Sequence, residues 1–220
     1  MNFEEPFSNV RVLTHSAIRI ESEDGTVLYF DPFDLVEEPH DADAVIITHS
    51  HYDHLSPEDV AKVSKPSTMV IAPESCAADV AKLGAATAVL LDAGEAAPVG
   101  GAVVHAVPAY NVQEDRLGFH PKENHWLGYL VVLDDVTYYI AGDTDQNPDN
   151  EHLRCDVAFV PIGGTYTMDA RQAAVFVNKL RPRIVIPTHY GTAVGKKEDV
   201  DAFEPLVNDR IEVMRKMEWR

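Results

Sequence analysis

Basic residues are scarce in this chain. Its 220 residues include 18 Lys and Arg against 36 Asp and Glu, a formal net charge of -18. A negative field of this size repels nucleic acids and anionic membranes, except where a local patch or a metal ion inverts it. We therefore expect a small-molecule substrate, and neither a nucleic acid nor a membrane as partner. The sequence leaves a homo-oligomer open.

Cysteines and long apolar runs are also rare. Cys76 and Cys155 are the two cysteines, and their separation excludes a disulfide framework and a CxxC site. The first ten residues, MNFEEPFSNV, lack the basic and apolar regions of a signal peptide. No apolar run reaches the ~20 residues of a membrane helix. We therefore expect a cytoplasmic protein, with one domain over residues 1–220.

Short alternating strands and well-spaced helices indicate an α/β fold. The predicted strands cover 10–14, 17–21, 26–30, 43–48, 68–72, 88–91, 102–107, 127–133, 136–140, 156–160 and 183–187. Predicted helices cover 57–65, 73–83, 169–180 and 200–217. Each half contains a β-meander followed by alternating strands and helices. This pattern favours two sheets packed face to face, with helices outside.

Ligand-type side chains are concentrated at residues 48–54, which read THSHYDH. Three histidines and a carboxylate follow a buried strand there, and placing three imidazoles beside a carboxylate in a core has little structural rationale. Residues two apart in a strand face the same side, so His49 and His51 can bind one ion together. If the chain turns after His51, Asp53 and His54 face a second position.

Two further strand ends carry candidate ligands, Asp143 and His189. Taken alone, the first would more often be a turn residue and the second a structural histidine. The cluster at 49–54 favours a ligand role for both: Asp143 could bridge two ions, and His189 could complete the second. This set predicts one or two divalent cations. Zn²⁺ suits the ligands best, while Mn and Fe also fit by ligand type.

The order of these motifs resembles that of the metallo-β-lactamase superfamily. Within it, the chain is most similar to the small single-domain branch of metal-dependent hydrolases, which includes relatives of ascorbate-6-phosphate lactonase. The resemblance implies a four-layer αββα sandwich of two mixed sheets, with helices outside and the metals at one edge between the sheets. The matching segments are Asp31-Pro32, His49-x-His51-x-Asp53-His54, Gly142-Asp143-Thr144 and Thr188-His189-Tyr190-Gly191, and His15 lies where many members have a Gly-His segment.

One position departs from the family pattern. Members supply a third histidine to the first ion from a loop between the first two metal motifs, and Asn111 stands at the matching place. Asparagine is a poor ligand for Zn²⁺. We prefer His120 as its replacement, with His125 as the alternative. If neither reaches the site, the first ion would have fewer protein ligands, and a single-ion enzyme is the other alternative.

The predicted chemistry is hydrolysis by a metal-activated hydroxide on a small anionic substrate, namely a phosphodiester, phosphoester or lactone. Asp53 is the candidate catalytic residue, because it could orient the nucleophile and carry a proton to the leaving group. His15 is expected to support a metal ligand. Candidate substrate contacts are Tyr110, Asn111, His120 and Lys122.

Two alternatives of other classes remain. One is an iron-dependent redox enzyme of the same fold, which would use nearly the same ligands. The other is a catalytically silent binding domain, against which the presence of Asp53 and Asp143 argues.

Overall fold

Two mixed β-sheets form the centre of the computed structural model, which describes residues 7–219. The first sheet contains, in spatial order, β1 (Val10–Thr14), β2 (Ala17–Glu21), β3 (Val27–Phe30), β4 (Ala42–Ile46), β5 (Ser64–Pro73) and β6 (Thr87–Leu91). The second contains β7 (Ala96–Val99), β8 (Ala102–Pro108), β9 (Leu127–Leu133), β10 (Val136–Ile140), β11 (Val157–Pro161), β12 (Ile184–Thr188) and β13 (Glu212–Val213). Its spatial order runs from β13 back to β7.

Both sheets are built on the same plan, an antiparallel meander continued by parallel strands. In the first sheet, β1 to β3 are antiparallel and β3 to β6 are parallel. In the second, β7 to β10 are antiparallel and β10 to β13 are parallel. Parallel strands end at the same edge of a sheet, so the segments that follow β4, β10 and β12 are brought to the edges where ligands were predicted.

Helices cover the outer faces. They are α1 (Pro57–Val63), α2 (Ala77–Val80), α3 (Ala170–Leu180) and α4 (Asp199–Phe203). Val60 and Val80 belong to one buried cluster with Val45 of the first sheet, and Phe176 of α3 contacts Tyr139 of the second. The predicted α/β sandwich of two mixed sheets with outer helices is confirmed. Within residues 7–219, no helix is both long and apolar enough to cross a bilayer.

Hydrogen bonds join the two sheets at the edge that carries the predicted ligands. The amide of His189 donates to the carbonyl of His15 at 2.8 Å, and the amide of Leu127 donates to the carbonyl of Thr48 at 3.1 Å. The hydroxyl of Tyr129, a buried residue, donates to the carbonyl of Ile47 at 2.7 Å. These bonds fix the strand ends of one sheet against those of the other.

The structure differs from the predicted elements in three main places. The predicted helix over 200–217 is wrong: α4 and a 3₁₀ turn, Glu204–Leu206, are followed by the short strand β13. Pro205 has no amide hydrogen to continue a helix, and a turn bond from Ile211 to Asn208 redirects the chain. The segment over 73–83 contains α2 between two 3₁₀ turns. Strand β7 was missed because its Ala and Pro residues have low strand propensity.

Because the chain carries a large net negative charge, we expect salt to stabilise the folded state against unfolding. Repulsion among the excess carboxylates favours unfolding, and salt screens it because the Debye length falls from about 10 Å at 0.1 M to about 3 Å at 1 M. Raising KCl from about 0.1 to 1 M should add roughly 2 kcal/mol to the unfolding free energy, or about 4–8 °C in melting temperature. Thermal melts with a sorbitol control at equal osmolality measure this, and an unchanged or lower melting temperature in KCl would contradict it.

Candidate metal centre

Six of the ten histidines meet at the joined sheet edges, together with two aspartates. All but His51 and Asp53 are buried, and those two are half-buried. They are His15, His49, His51, Asp53, His54, His120, Asp143 and His189. The structure therefore brings together every residue predicted as a metal ligand from four separate parts of the chain.

A first set consists of His49, His51 and His120, whose ligand atoms lie within 4.8 Å of one another. His49 Nε2 is 3.0 Å from His51 Nδ1. Within this set, His120 lies where a third histidine was expected. Neither Asn111 nor His125 takes this place: Asn111 lies behind His120, and His125 is exposed.

A second set consists of Asp53, His54 and His189, with His15 beside them. Asp143 lies between the two sets. Its Oδ2 is 3.1 Å from His120 Nε2 and 3.2 Å from His189 Nε2. Its Oδ1 is 3.4 Å from His54 Nε2. One carboxylate therefore touches imidazoles of both sets, as the bridging role predicted for Asp143 requires.

Several buried atoms in this centre have no hydrogen-bond partner, among them His54 Nε2, His120 Nε2, His189 Nε2 and Asp143 Oδ1. Such orphaned polar atoms are costly unless another group satisfies them. Two ligands on a tetrahedral Zn²⁺ lie roughly 3.3 Å apart when each bond is about 2.0–2.1 Å. The 3.0–3.4 Å separations around Asp143 and between His49 and His51 match this spacing. The residues fit a divalent metal ion.

Asp31 orients one histidine in each set. Its Oδ2 accepts from His54 Nδ1 at 2.7 Å, which directs the other ring nitrogen into the centre. The same oxygen accepts the Thr48 hydroxyl at 2.6 Å. With its proton so used, Thr48 Oγ1 accepts from His49 Nδ1 at 3.0 Å, which frees His49 Nε2. This pattern of a carboxylate behind a ligating histidine is common at metal sites.

Asn111 performs the same task for His120. Its Oδ1 accepts from His120 Nδ1 at 2.8 Å, and its amide donates to the His120 carbonyl at 2.8 Å. The asparagine at the family's histidine position thus holds the His120 ring in place. His15 has partners on both ring nitrogens, Asp53 Oδ2 and Thr192 Oγ1, each at 3.1 Å. This arrangement fits the supporting role predicted for His15 rather than a ligand role.

The charges of the centre suit metal binding at neutral pH. Burial lowers the pKa of His49 well below its usual value, so this ring is neutral. Burial would raise the pKa of Asp143, but His189, His54 and His120 hold it well below its usual range. Burial would likewise raise the pKa of Asp53, but the hydrogen bond from His15 lowers it to about 2. Both carboxylates are therefore ionised.

His54 predicts a proton release on metal binding. Burial would lower its pKa, yet Asp143 and Asp31 raise it well above 6.5, so the metal-free protein holds a proton there at pH 7. Coordination requires a neutral ring, and about one proton per chain should leave on zinc binding. The affinity for zinc should then fall as the pH drops from 7 to 5, because protons compete with the metal for the His54 ring. Calorimetric zinc titrations in buffers of different ionisation enthalpy measure this release, and heats independent of the buffer would contradict it.

A buried ion pair anchors the loop that carries Asn111 and His120. Asp145 Oδ1 accepts from Arg116 Nε at 2.8 Å, and its Oδ2 accepts from the amides of Val112 and Gln113 at 2.8 and 3.1 Å. Arg116 also donates to Gln172 Oε1 of α3 at 2.8 Å. Because Asp145 follows Asp143 by two residues, this network holds the His120 loop against the Asp143 carboxylate.

Arg116→Met should therefore weaken the first set selectively. With the loop loosened, zinc bound by His49, His51 and His120 should lose about 10–100-fold in affinity, in the range of losses for supporting residues of metal sites. The second set should change little. Stepwise zinc titration measures both, and Arg154→Met, the same charge change at an exposed residue, is the control. Equal weakening of both sets, or of neither, would contradict the anchoring role.

Of the predicted substrate contacts, Tyr110 and Lys122 lie outside the ligand cluster. The Tyr110 hydroxyl donates to Asp149 Oδ2 at 2.8 Å, and Lys122 Nζ reaches the same oxygen at 2.9 Å. Trp126 was not among the residues predicted from the sequence. Its ring centroid is 4.8 Å from that of His49 and 4.7 Å from that of His51. The one indication in the sequence was its position at the end of the long loop that joins β8 to β9.

Comparisons with known proteins identify the family of this chain. Residues 9–189 match the family described as Beta-lactamase superfamily domain. The chain is 34% identical to the UPF0173 metal-dependent hydrolases of Thermococcus kodakarensis and Pyrococcus horikoshii, over 93% of this chain and 94% of each relative. It resembles the crystal structure of a novel metallo hydrolase, Igni18, from Ignicoccus hospitalis, with TM-score 0.72 and 25% identity over 95% of both chains. A diiron β-hydroxylase of Streptomyces venezuelae, CmlA, shares the fold at TM-score 0.74 and 19% identity, over 94% of this chain and 52% of that one.

Proposed function

The chain belongs to the β-lactamase superfamily, and from this membership we propose that it is a metal-dependent hydrolase with two divalent ions, one for each ligand set. The observation that carries the proposal is the group of unpartnered nitrogens directed at the buried Asp143 carboxylate. His49, His51 and His120 would hold one ion, and Asp53, His54 and His189 the other. Asp143 would contact both. Zn²⁺ is the metal that these ligands favour.

Ions in such a site supply a hydroxide nucleophile at neutral pH and polarise the bond under attack. We assign to Asp53 the role of orienting this nucleophile. Its carboxylate is half-buried and held by His15, so it accepts a hydrogen bond in a fixed direction. A pKa of about 2 favours this orienting role over storage of a proton.

The substrate that we propose is a small molecule with an electrophilic phosphorus or carbonyl, namely a phosphodiester, phosphoester or lactone. An anionic reacting centre is compatible with the negative chain because two cations would dominate the local field. The net charge supports a small molecule over a nucleic acid.

The test combines metal content with turnover. Protein purified without added metal is analysed for zinc, manganese and iron, then assayed on phosphodiesters, phosphomonoesters and lactones. We expect up to two equivalents of metal and hydrolysis that a chelator abolishes. Asp53→Asn should lower turnover about 100-fold or more, the range for a positioned acid–base residue. Bound iron with oxygen uptake and no hydrolysis would favour the redox alternative, and metal uptake without turnover of either kind would favour a binding domain.

A further inference from the structure

A cavity of about 320 Å³ lies beside the metal centre. Its lining is largely apolar and comes from Pro108, Ala109 and Tyr110 at the end of β8, and from Trp126 and Leu127 at the start of β9. The lining is completed by four exposed residues, Ala93, Lys122, Glu123 and His125. Its volume is at the lower end of the roughly 300–1,000 Å³ of small-molecule sites.

Trp126 is shared by the cavity and the metal centre. It lines the cavity, and its ring also contacts His49, His51 and His120, with centroids 4.8, 4.7 and 5.6 Å away. A group seated against this indole therefore lies one side chain away from the first ligand set. This closeness connects the cavity with the proposed reaction.

The one cationic lysine in the lining, Lys122, already has a charged partner. Lys122 Nζ lies 4.6 Å from the centroid of the Tyr110 ring and pairs with Asp149 at 2.9 Å. The cation therefore fixes the Tyr110 ring in place and is not a free partner for a second anion. Apolar walls with a paired charge at the rim select a ligand by its apolar surface.

We propose that this cavity binds an apolar, preferably aromatic, group of the substrate, next to the bond that the metal centre hydrolyses. The inference rests on the proposed function and deepens it: the reacting centre is anionic or polar, and the part that determines specificity is apolar. Trp126 and Tyr110 are the specificity-determining residues, because their rings supply the flat walls that an aromatic group contacts.

The probes are phenylphosphonate and methylphosphonate, which share the anion and differ in the ring. The chain has two tryptophans, so a Trp219→Phe background makes Trp126 the only indole reporter. In zinc-loaded protein, phenylphosphonate should bind about tenfold more tightly than methylphosphonate, and it should quench Trp126 fluorescence. The metal-free protein should retain this preference at weaker overall affinity.

Ala93 is an exposed residue that lines the cavity, and Ala93→Leu narrows it. The preference for phenylphosphonate should then fall to less than about threefold, because the pocket loses room for a ring. Ala86→Leu, at an exposed position that does not line this cavity, is the matched control and should keep the preference. Equal affinity for the two probes, or an Ala93→Leu variant with the wild-type preference, would overturn the proposal. If the protein takes up no zinc at all but still prefers phenylphosphonate, the proposed function is overturned and the proposal for the cavity stands.

Discussion

Asp143→Asn is expected to abolish metal binding at physiological zinc concentrations. The Asp143 carboxylate is buried and lies 3.1–3.4 Å from His120, His189 and His54, so it serves both ligand sets. The amide keeps the shape of the side chain but removes the charge that attracts two cations. Because a ligand itself is lost, the affinity of each ion should fall by more than the roughly 10–100-fold seen for supporting residues. Hydrolysis should fall with it.

Elemental analysis after dialysis against limiting zinc measures this loss. Asp115→Asn is the matched control, since it makes the same change at an exposed position of the loop between Asn111 and His120. The control should keep its metal and activity. If Asp143→Asn bound both ions with wild-type affinity, Asp143 would not be a shared ligand and the two-ion arrangement would be wrong.

Asp31→Ala is expected to be the most destabilising single substitution in the centre. Asp31 is buried, and it accepts the Thr48 amide at 2.8 Å, the Thr48 hydroxyl and His54 Nδ1. Its removal leaves these buried donors without a partner, which should cost about 3–5 kcal/mol. The melting temperature of the metal-free protein should fall by roughly 10 °C.

Asp31→Asn separates stability from metal binding. An amide oxygen can still accept the Thr48 amide, so much of the stability should return. Its NH₂ group would face His54 Nδ1, which must then accept. The remaining ring proton is therefore held on Nε2, where it blocks a metal. Thermal melts and zinc titration report the two effects, with Asp92→Ala at an exposed position as control. Wild-type zinc affinity in Asp31→Asn would contradict the orienting role.

The sequence predicted the fold and the candidate ligands because their signals are local. The THSHYDH segment places four ligand-type side chains in one turn, and the alternation of strands and helices indicates two sheets. The supporting network has no such signal. Arg116 and Asp145 are 29 residues apart in sequence, and only the folded chain shows that they hold the His120 loop.

Asn111 illustrates why residue type alone was insufficient. At the family's histidine position it indicated a missing ligand, and the loop between β8 and β9 contains two histidines that could replace it. The choice between His120 and His125 depends on backbone geometry: the hydrogen bonds of Asn111 bring His120 back towards Asp143, while His125 adopts a left-handed conformation with φ of 53° and stays exposed. The predicted helix over 200–217 was wrong for a similar reason. It was predicted from the spacing of apolar residues, and that spacing takes no account of Pro205, where the helix stops.

Titration of chelator-treated protein with Co²⁺ tests the central claim most directly, because cobalt bound by imidazoles and carboxylates absorbs visible light. We expect two equivalents per chain, and about one in His120→Ala, since His120 belongs to the first set only. Binding of no cobalt, or two equivalents in the His120→Ala variant with an unchanged spectrum, would contradict it.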